Sequence, residues 1–406
     1  MKKGKKIIAL IVGVLMIASL AIGLAACNSA GKTVGMFWYK QTDIYLGSVR
    51  TQVNDSVFND TDFKVRHFYA DNSDSKLKDL VEQNVADLDV LIVNPVDAQN
   101  TENLKAIVKI AKDAGKPIVF FNKEVGNDVI ADYDKAYYIG TVSKESGEIQ
   151  GELIADFLLK GTNADKYASS YEEDGLTVIY YAMVRGQEGH ADSDARTYYS
   201  VMVANEALEE EGYILKPSPD NPNSSSWTFT GAKQTLGALP VELETEAQKE
   251  MFKKFVSGNN EWSGEDADAN FDTGFSAFLG DPDLTDHLGI IISNNDGMAL
   301  AIINGTLKSN GYNLKDSATT AGAKYIPIFG VDGDSANLDL IDAGRMTGTV
   351  GQSAKAYAQL FLYYSLYLIG DTDAANTLKS STGFVTSGYV NELLAKKVFF
   401  HYEPLV

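Results

Sequence analysis

Val90-Leu91-Ile92-Val93-Asn94 leads, after a polar gap, into the amphipathic stretch Asn103–Ala114; Ala114-Gly115-Lys116-Pro117 closes it, and Ile118-Val119-Phe120-Phe121-Asn122 follows at once. The passage reads as strand, helix, strand. Both apolar runs are short and unbroken, as expected of strands buried on both faces. Glycine just past the helix takes the left-handed cap conformation, and the proline beyond it cannot continue the helical hydrogen bonds. Two strands joined through a helix lie parallel, with a right-handed crossover. The fold class is α/β.

The same rhythm continues in both directions. Strands are predicted at Val34–Tyr39, Phe63–Tyr69, Tyr137–Thr141, Leu176–Val184, Ile290–Asn294, Ile326–Val331 and Met346–Val350. Helices are predicted at Ser75–Ala86, Lys144–Leu159, Asp194–Glu210, Glu244–Val256, Gly297–Ser309 and Ser353–Gly370. A chain of 406 residues organised this way makes about two domains, each a doubly wound parallel sheet. Two stretches break the rhythm. Pro217–Pro240 is rich in Pro, Ser, Asn and Gly, and Ser257–Asp286 is acidic and aromatic; both read as surface insertions. Asp266, Asp268, Asn270 and Asp272 alternate within the second but lack the glycine and terminal glutamate of a calcium loop, so they read as solvated loop. No internal sequence repeat is evident.

The N-terminus carries four lysines, an apolar run from Ile7 to Ala26, and then Leu24-Ala25-Ala26-Cys27. A basic head, an apolar middle and small residues at the end make an export signal. The ending resembles a bacterial lipobox, which implies cleavage before Cys27 and lipid on its sulfur. Residues 1–26 are then signal peptide and 27–32 a short tether on the outer face of the cell membrane. At about 3.3 Å per residue, that tether holds the folded part within roughly 20 Å of the lipid. Cys27 is the only cysteine, so no intrachain disulfide forms. The net charge of −20 opposes nucleic acid and anionic lipid as direct partners.

In open α/β sheets, ligands bind beyond the carboxyl ends of the strands. The residues at those places are Asp43 and Tyr45, Asn122, then His190, Asp192 and Arg196, then Asn295, Asp332 and Gln352. Most of these polar side chains can make two hydrogen bonds in a plane, the geometry that neighbouring sugar hydroxyls present. A handful of such bonds supports micromolar binding, about −8 kcal/mol. Any one of these residues alone would more often cap a helix. His67, His287 and His401 have no partners at metal-ligand spacing. The chain has no phosphate loop, His-Glu-x-x-His or Gly-x-Ser-x-Gly motif.

Several segments resemble the bacterial glucose/galactose-binding proteins of the type 1 periplasmic-binding-protein class. They are Phe120-Phe121-Asn122-Lys123-Glu124, Tyr133–Thr141, Ser143–Gly147, Gly189–Thr197, Asn294–Ala299 and Pro327–Asp332. The resemblance implies two lobes, 33–141 plus 352–400 and 142–351 plus 401–406, joined by a three-segment hinge with crossings near Thr141, Gln352 and His401. It implies a monosaccharide, galactose and/or glucose or methyl-galactoside, held in the cleft by Asp43, Asn122, His190, Asp192, Arg196, Asn295 and Asp332. Tyr45 and Trp227 would stack on the sugar, with Trp262 a rival for the second ring. Gln352 stands where the family has asparagine, and Asp43 matches the carboxylate that accepts both epimers at the fourth carbon. The family's calcium loop corresponds to Ser170–Gly175 and its distant glutamate to Gly289; most of the oxygens are missing, so no metal or other cofactor is expected. The expected partner is an ABC permease of galactose/methyl-galactoside type, served by a monomer that does no chemistry. A sugar-sensing receptor and, less favourably, a glycosidase built on Asp43, Asp192 and Asp332 are the alternatives.

Overall fold

The computed structural model describes residues 31–187, 190–218, 262–280, 288–381, 389–394 and 396–406, with Asn260 and Phe384. Cys27, Trp227, His287, the helix predicted at Glu244–Val256 and most of the stretch Pro217–Pro240 lie outside the described residues.

Among the described residues, two seven-stranded sheets organise the chain. The first contains β1 (Thr33–Trp38), β2 (Lys64–Tyr69), β3 (Val90–Val93), β4 (Ile118–Phe121), β5 (Ala136–Thr141), β12 (Tyr389–Leu394) and β13 (Lys397–Phe400), in the order β12-β13-β5-β4-β3-β1-β2. The second contains β6 (Glu172–Glu173), β7 (Leu176–Val184), β8 (Tyr213–Pro217), β9 (Ile290–Ser293), β10 (Ile328–Asp332), β11 (Gly348–Gly351) and β14 (Glu403–Leu405). Its path runs β14-β11-β10-β9-β7-β6, with β8 on β7. The pairs β1–β2, β1–β3, β3–β4 and β4–β5 are parallel, as are β7–β8, β7–β9, β9–β10 and β10–β11. Each lobe thus repeats one order of parallel strands, β1 lying between β2 and β3 in the first and β7 between β8 and β9 in the second, where β6 is an added antiparallel strand.

The strands predicted at Val90–Asn94 and Ile118–Asn122 are buried on both faces, as expected: all four residues of β3 and all four of β4 are buried. The edge strand β2 has no fully buried residue, because only one of its sides is covered. The chain passes between the sheets after Thr141, at Gln352-Ser353 and at His401-Tyr402, because the helix Ala354–Leu368 packs on the first core while β14 joins the second sheet.

The reading of Ser257–Asp286 as a surface insertion is corrected. Gly264–Gly280 is a helix, and Ala267, Phe271 and Phe275 form a buried stripe at helical spacing against Met298, Ile302 and Ile303. Asp266, Asp268, Asn270 and Asp272 therefore lie on a helix and do not form a loop; Asp268 accepts the Thr306 N–H at 2.9 Å. The acidic residues Glu265, Asp266 and Asp268 around Ala267 obscured the four-residue period.

Helix packing in the second lobe is set by two glycines. A Cβ on Gly147 would lie 2.7 Å from the Ala195 carbonyl oxygen, and one on Gly151 2.8 Å from that of Ser200. Their absence lets the helix Ser143–Leu158 press against Ala191–Glu210, the helix that carries Asp192 and Arg196.

Candidate ligand-binding site

Loops at the carboxyl ends of both sheets face each other across a cleft. An inner chamber of about 50 Å³ is lined by Tyr39, Asp43, Tyr45, Leu46, Asn122 and Lys123 of the first lobe and by His190, Asp192, Arg196, Trp262, Asn295 and Asp332 of the second. It adjoins a vestibule of about 330 Å³ that shares Asp43, Tyr45, Trp262, Asn295 and Asp332. Gln352 is not among the lining residues. Tyr39 and Lys123 were missed, although each directly adjoins a strand end that the sequence marks.

Capping and cleft lining coincide at three positions. Asp43 caps the helix Ile44–Gln52, its Oδ1 accepting the Leu46 N–H at 2.8 Å, while its Oδ2 accepts the Tyr39 hydroxyl at 2.6 Å. Asn295 accepts the Met298 N–H at 2.9 Å through Oδ1, which leaves its amide N–H groups for other partners. His190 caps the helix Ala191–Glu210, its Nδ1 accepting the Asp192 N–H at 3.2 Å. Burial pushes the His190 pKa down to about 4 against the opposing charge of Asp192, so the ring is neutral near pH 7. With Nδ1 accepting, the proton belongs on Nε2.

Arg196 and Asp332 anchor the opposite wall. Arg196 donates from Nε to Ser146 at 3.2 Å, from Nη1 to the Asn294 carbonyl at 2.8 Å and from Nη2 to the Tyr402 hydroxyl at 3.1 Å; its Nη1 lies 3.6 Å from Asp332 Oδ1. Burial opposes its charge, but Tyr402, Asp332 and Asp192 together hold its pKa above the ordinary value. Burial raises the Asp332 carboxyl well above the usual range, with Arg196 pulling the other way. Asp192 accepts the Ser143 hydroxyl. Lys123 donates to the Val96 carbonyl at 2.6 Å, and burial lowers its pKa to about 8.

Three cleft residues have positive φ: Asn122 at 66°, Trp262 at 60° and Asp332 at 129°. Such backbone persists for non-glycine residues only where the surroundings impose it, and it clusters at binding sites. At Asn122 the surroundings are visible. Its carbonyl accepts the Tyr138 hydroxyl at 2.8 Å, and its Oδ1 accepts the Asn94 amide at 3.3 Å. The Trp262 ring lies edge-on to His190 with centroids 5.3 Å apart, and the Arg196 guanidinium carbon is 5.6 Å from its centre. Gly186 makes the room, since a Cβ there would come within 2.5 Å of the ring.

Three donors at this chamber, Tyr45 Oη, His190 Nε2 and Trp262 Nε1, are buried without a hydrogen-bond partner. Each such group costs about 1–3 kcal/mol, and native proteins keep few of them.

Behind the chamber a hydrogen-bonded chain ties the three crossings together. Gln352 Nε2 donates to Thr141 Oγ1 at 2.9 Å and to the Tyr357 hydroxyl at 3.2 Å, Thr141 donates to the Tyr402 hydroxyl at 2.7 Å, and Tyr402 receives Arg196. Tyr402 was not singled out from sequence, because it lies four residues before the last residue and outside every strand-helix unit.

Among the described residues no group of three or more His, Cys, Asp or Glu is placed to hold a metal ion. The stretch matching the family calcium loop is a hairpin: Glu172–Glu173 pairs antiparallel with β7 through a turn at Asp174 and Gly175, with φ 53° and 83°. Glu173 is ion-paired with Lys216 at 2.8 Å, and a Cβ on Gly289 would meet the Tyr167 carbonyl at 2.5 Å, so that position admits no glutamate. These residues do not fit a calcium ion. No helix among the described residues is long and apolar enough to cross a membrane.

Fold and cleft together define a class, the two-lobed α/β receptor that encloses a small polar ligand between its lobes. This chain belongs to the periplasmic binding protein domain family, which it matches over residues 34–213 and 201–371. It is similar to the D-galactose/methyl-galactoside binding periplasmic protein MglB of Haemophilus influenzae, with 29% identity over 338 residues, covering 82% of this chain and 80% of that one. Among solved structures it resembles an ABC transporter solute-binding protein of Actinobacillus succinogenes with bound D-allose (TM-score 0.60, 15% identity, 92% of this chain and 97% of that one). It also resembles a carbohydrate transporter solute-binding protein of Chloroflexus aurantiacus in complex with D-glucose (TM-score 0.57, 17% identity, 84% and 85%). A third is the ABC transporter solute-binding protein of Bacillus halodurans with bound myo-inositol (TM-score 0.55, 19% identity, 94% and 96%).

Proposed function

We propose that this chain is the lipid-anchored substrate-binding protein of an ABC importer, binding galactose, glucose or methyl-galactoside between its lobes and delivering it to a permease of galactose/methyl-galactoside type. The observation that carries the reading is the set of buried, unpartnered donors on Tyr45, His190 and Trp262 around one polar chamber. A hydroxyl-rich ligand offers an acceptor to His190 Nε2, while the in-plane donors of Tyr45 and Trp262, whose faces meet the ligand, are open to water enclosed with it. The ligand also offers donors to Asp43, Asp192 and Asp332, and acceptors to the amides of Asn122 and Asn295 and the remaining N–H groups of Arg196.

Tyr45 and Trp262 supply the aromatic faces against the sugar's C–H surfaces. Trp262 lines the cleft and can supply the second face; Trp227, the other candidate, lies outside the described residues, and binding by the two alanine variants separates them. Gln352 acts through the hinge network, and closure of the lobes about the three crossings completes the site. The protein works as a monomer without metal, held to the outer face of the cell membrane through Cys27.

Thermal unfolding tests the reading. Galactose or glucose at millimolar concentration raises Tm by several degrees, since a ligand at about 1,000 times its Kd adds about 4 kcal/mol to stability. Nitrophenyl glycosides are not hydrolysed. No shift with any monosaccharide, or steady turnover of the glycosides, contradicts it. Detergent partition tests the anchor: the exported chain enters the detergent phase and its Cys27→Ser variant does not.

A further inference from the structure

The vestibule is lined, beyond the residues it shares with the inner chamber, by Thr42 and Ile44 of the first lobe and by Glu265, Leu300, Asn304 and Asp334 of the second, among others. The vestibule, at about 330 Å³, adds to the inner chamber of about 50 Å³ a space of the size of a further small-ligand subsite. Its lining mixes apolar lips, with Ile44 46% exposed, and hydrogen-bonding groups.

Asp334 is the decisive group. It is 3% exposed, and neither carboxylate oxygen accepts a hydrogen bond of normal geometry, although the Ser48 hydroxyl lies close enough to pull its pKa down slightly. It stands at the start of the helix Ser335–Asp342, yet its side chain makes no capping bond. Neither capping nor an ion pair accounts for a carboxyl buried there. Its residual neighbours, Asp296 and Asp43, are acidic and raise its pKa further, after burial, to about 7.

Building on the sugar reading above, we propose that the preferred ligand extends beyond one ring: the inner chamber holds a terminal monosaccharide, and the vestibule holds a second sugar ring whose hydroxyl donates to Asp334. A hydroxyl bonded to a buried carboxyl, with Ile44 and Leu300 against the ring's apolar face, gives a gain of about tenfold or more over the monosaccharide.

Calorimetric titration with galactose, glucose, lactose, melibiose and maltose tests this on the wild type, Asp334→Ala and Asn304→Trp. Asp334→Ala removes the acceptor without removing a cap, and Asn304→Trp fills the exposed rim. At least one disaccharide binds tenfold tighter than galactose and glucose. Both variants abolish that gain and leave monosaccharide affinity within threefold. The extension is overturned, with the sugar reading intact, if monosaccharides bind and every disaccharide binds more weakly. It is also overturned if both variants weaken monosaccharides as much as disaccharides, because the vestibule then belongs to the single ring. If no sugar binds, both readings fall.

Discussion

Asp43, Asn295 and His190 each spend one atom on a helix N-terminus and keep another at the cleft. Capping and ligand binding are therefore not rival explanations at these positions, since the cap fixes the side chain in the orientation the cleft uses. Trp262 shows the converse, a ring placed by what is missing at Gly186. Trp262→Ala should weaken sugar binding at least thirtyfold, about 2 kcal/mol, as for a buried aromatic anchor. Trp227→Ala should stay within threefold. Titration of the two variants checks this, and the opposite ranking would move the stacking role to Trp227. Strand ends were legible because apolar runs stop abruptly at polar residues, which is how Asp43, Asn122 and Asp332 could be found. Tyr39 was hidden because it closes the apolar run Val34–Tyr39 and reads as strand, and Lys123 because a lysine beside Asn122 reads as a solvated charge. The cleft's depth brings both in as well.

At the scale of elements, Gly147 and Gly151 place the helix bearing Asp192 and Arg196. Gly147→Ala pushes a methyl group into the Ala195 carbonyl and shifts that helix. Overpacking of this kind costs about 1–3 kcal/mol, and here it should also reduce sugar affinity. Circular-dichroism melting and titration of one variant read both effects, and an unchanged melt with unchanged affinity would contradict the packing account. The hinge gives a second prediction. Tyr402→Phe strips a shared partner from Arg196 and Thr141, costing about 1–3 kcal/mol of stability, visible as a lower Tm. Helices with a clean apolar period, such as Thr101–Asp113, could be read directly. Gly264–Gly280 could not, because Glu265, Asp266 and Asp268 crowd its first turns and Asp272, Thr273 and Gly274 separate its aromatics, so its sequence resembles a loop until Phe271 and Phe275 are seen facing one core.

Across the whole molecule, the parallel α/β organisation was legible from strand-helix alternation. The shared strand order of the two lobes was not, because matching topology requires no matching sequence. Nor were β12, β13 and β14, whose pairing depends on a return of the chain over long separations. The buried carboxyls give the molecule an unusual pH response. Burial raises Asp296 to about 6 and Asp334 to about 7, from an ordinary 3.8. Between those values the native state keeps protons that the unfolded chain has released. Their contribution is therefore full below pH 3.8 and is lost as pH rises through 6 and 7. His190, lowered by burial from 6.5 to about 4, acts oppositely: its contribution is present above 6.5 and lost as pH falls through 4. The carboxyls outweigh it, with Asp332 shifted the same way. The ligand-free protein should be more stable at pH about 5.5 than at pH about 8, by roughly 1–3 kcal/mol, and Asp334→Ala should lose most of that gain. A Tm that falls on acidification from 8 to 5.5 would contradict this balance.

The central claim is that the cleft is a sugar site, and calorimetric titration of the soluble chain with galactose and glucose at pH 7 tests it most directly. The account predicts one site per chain, with a Kd of about 1 μM or tighter for at least one of the two. It further predicts that binding is lost in Arg196→Ala, in which the chamber wall loses its cation. Absence of binding heat at millimolar sugar, or equal binding by the Arg196 variant, would contradict it.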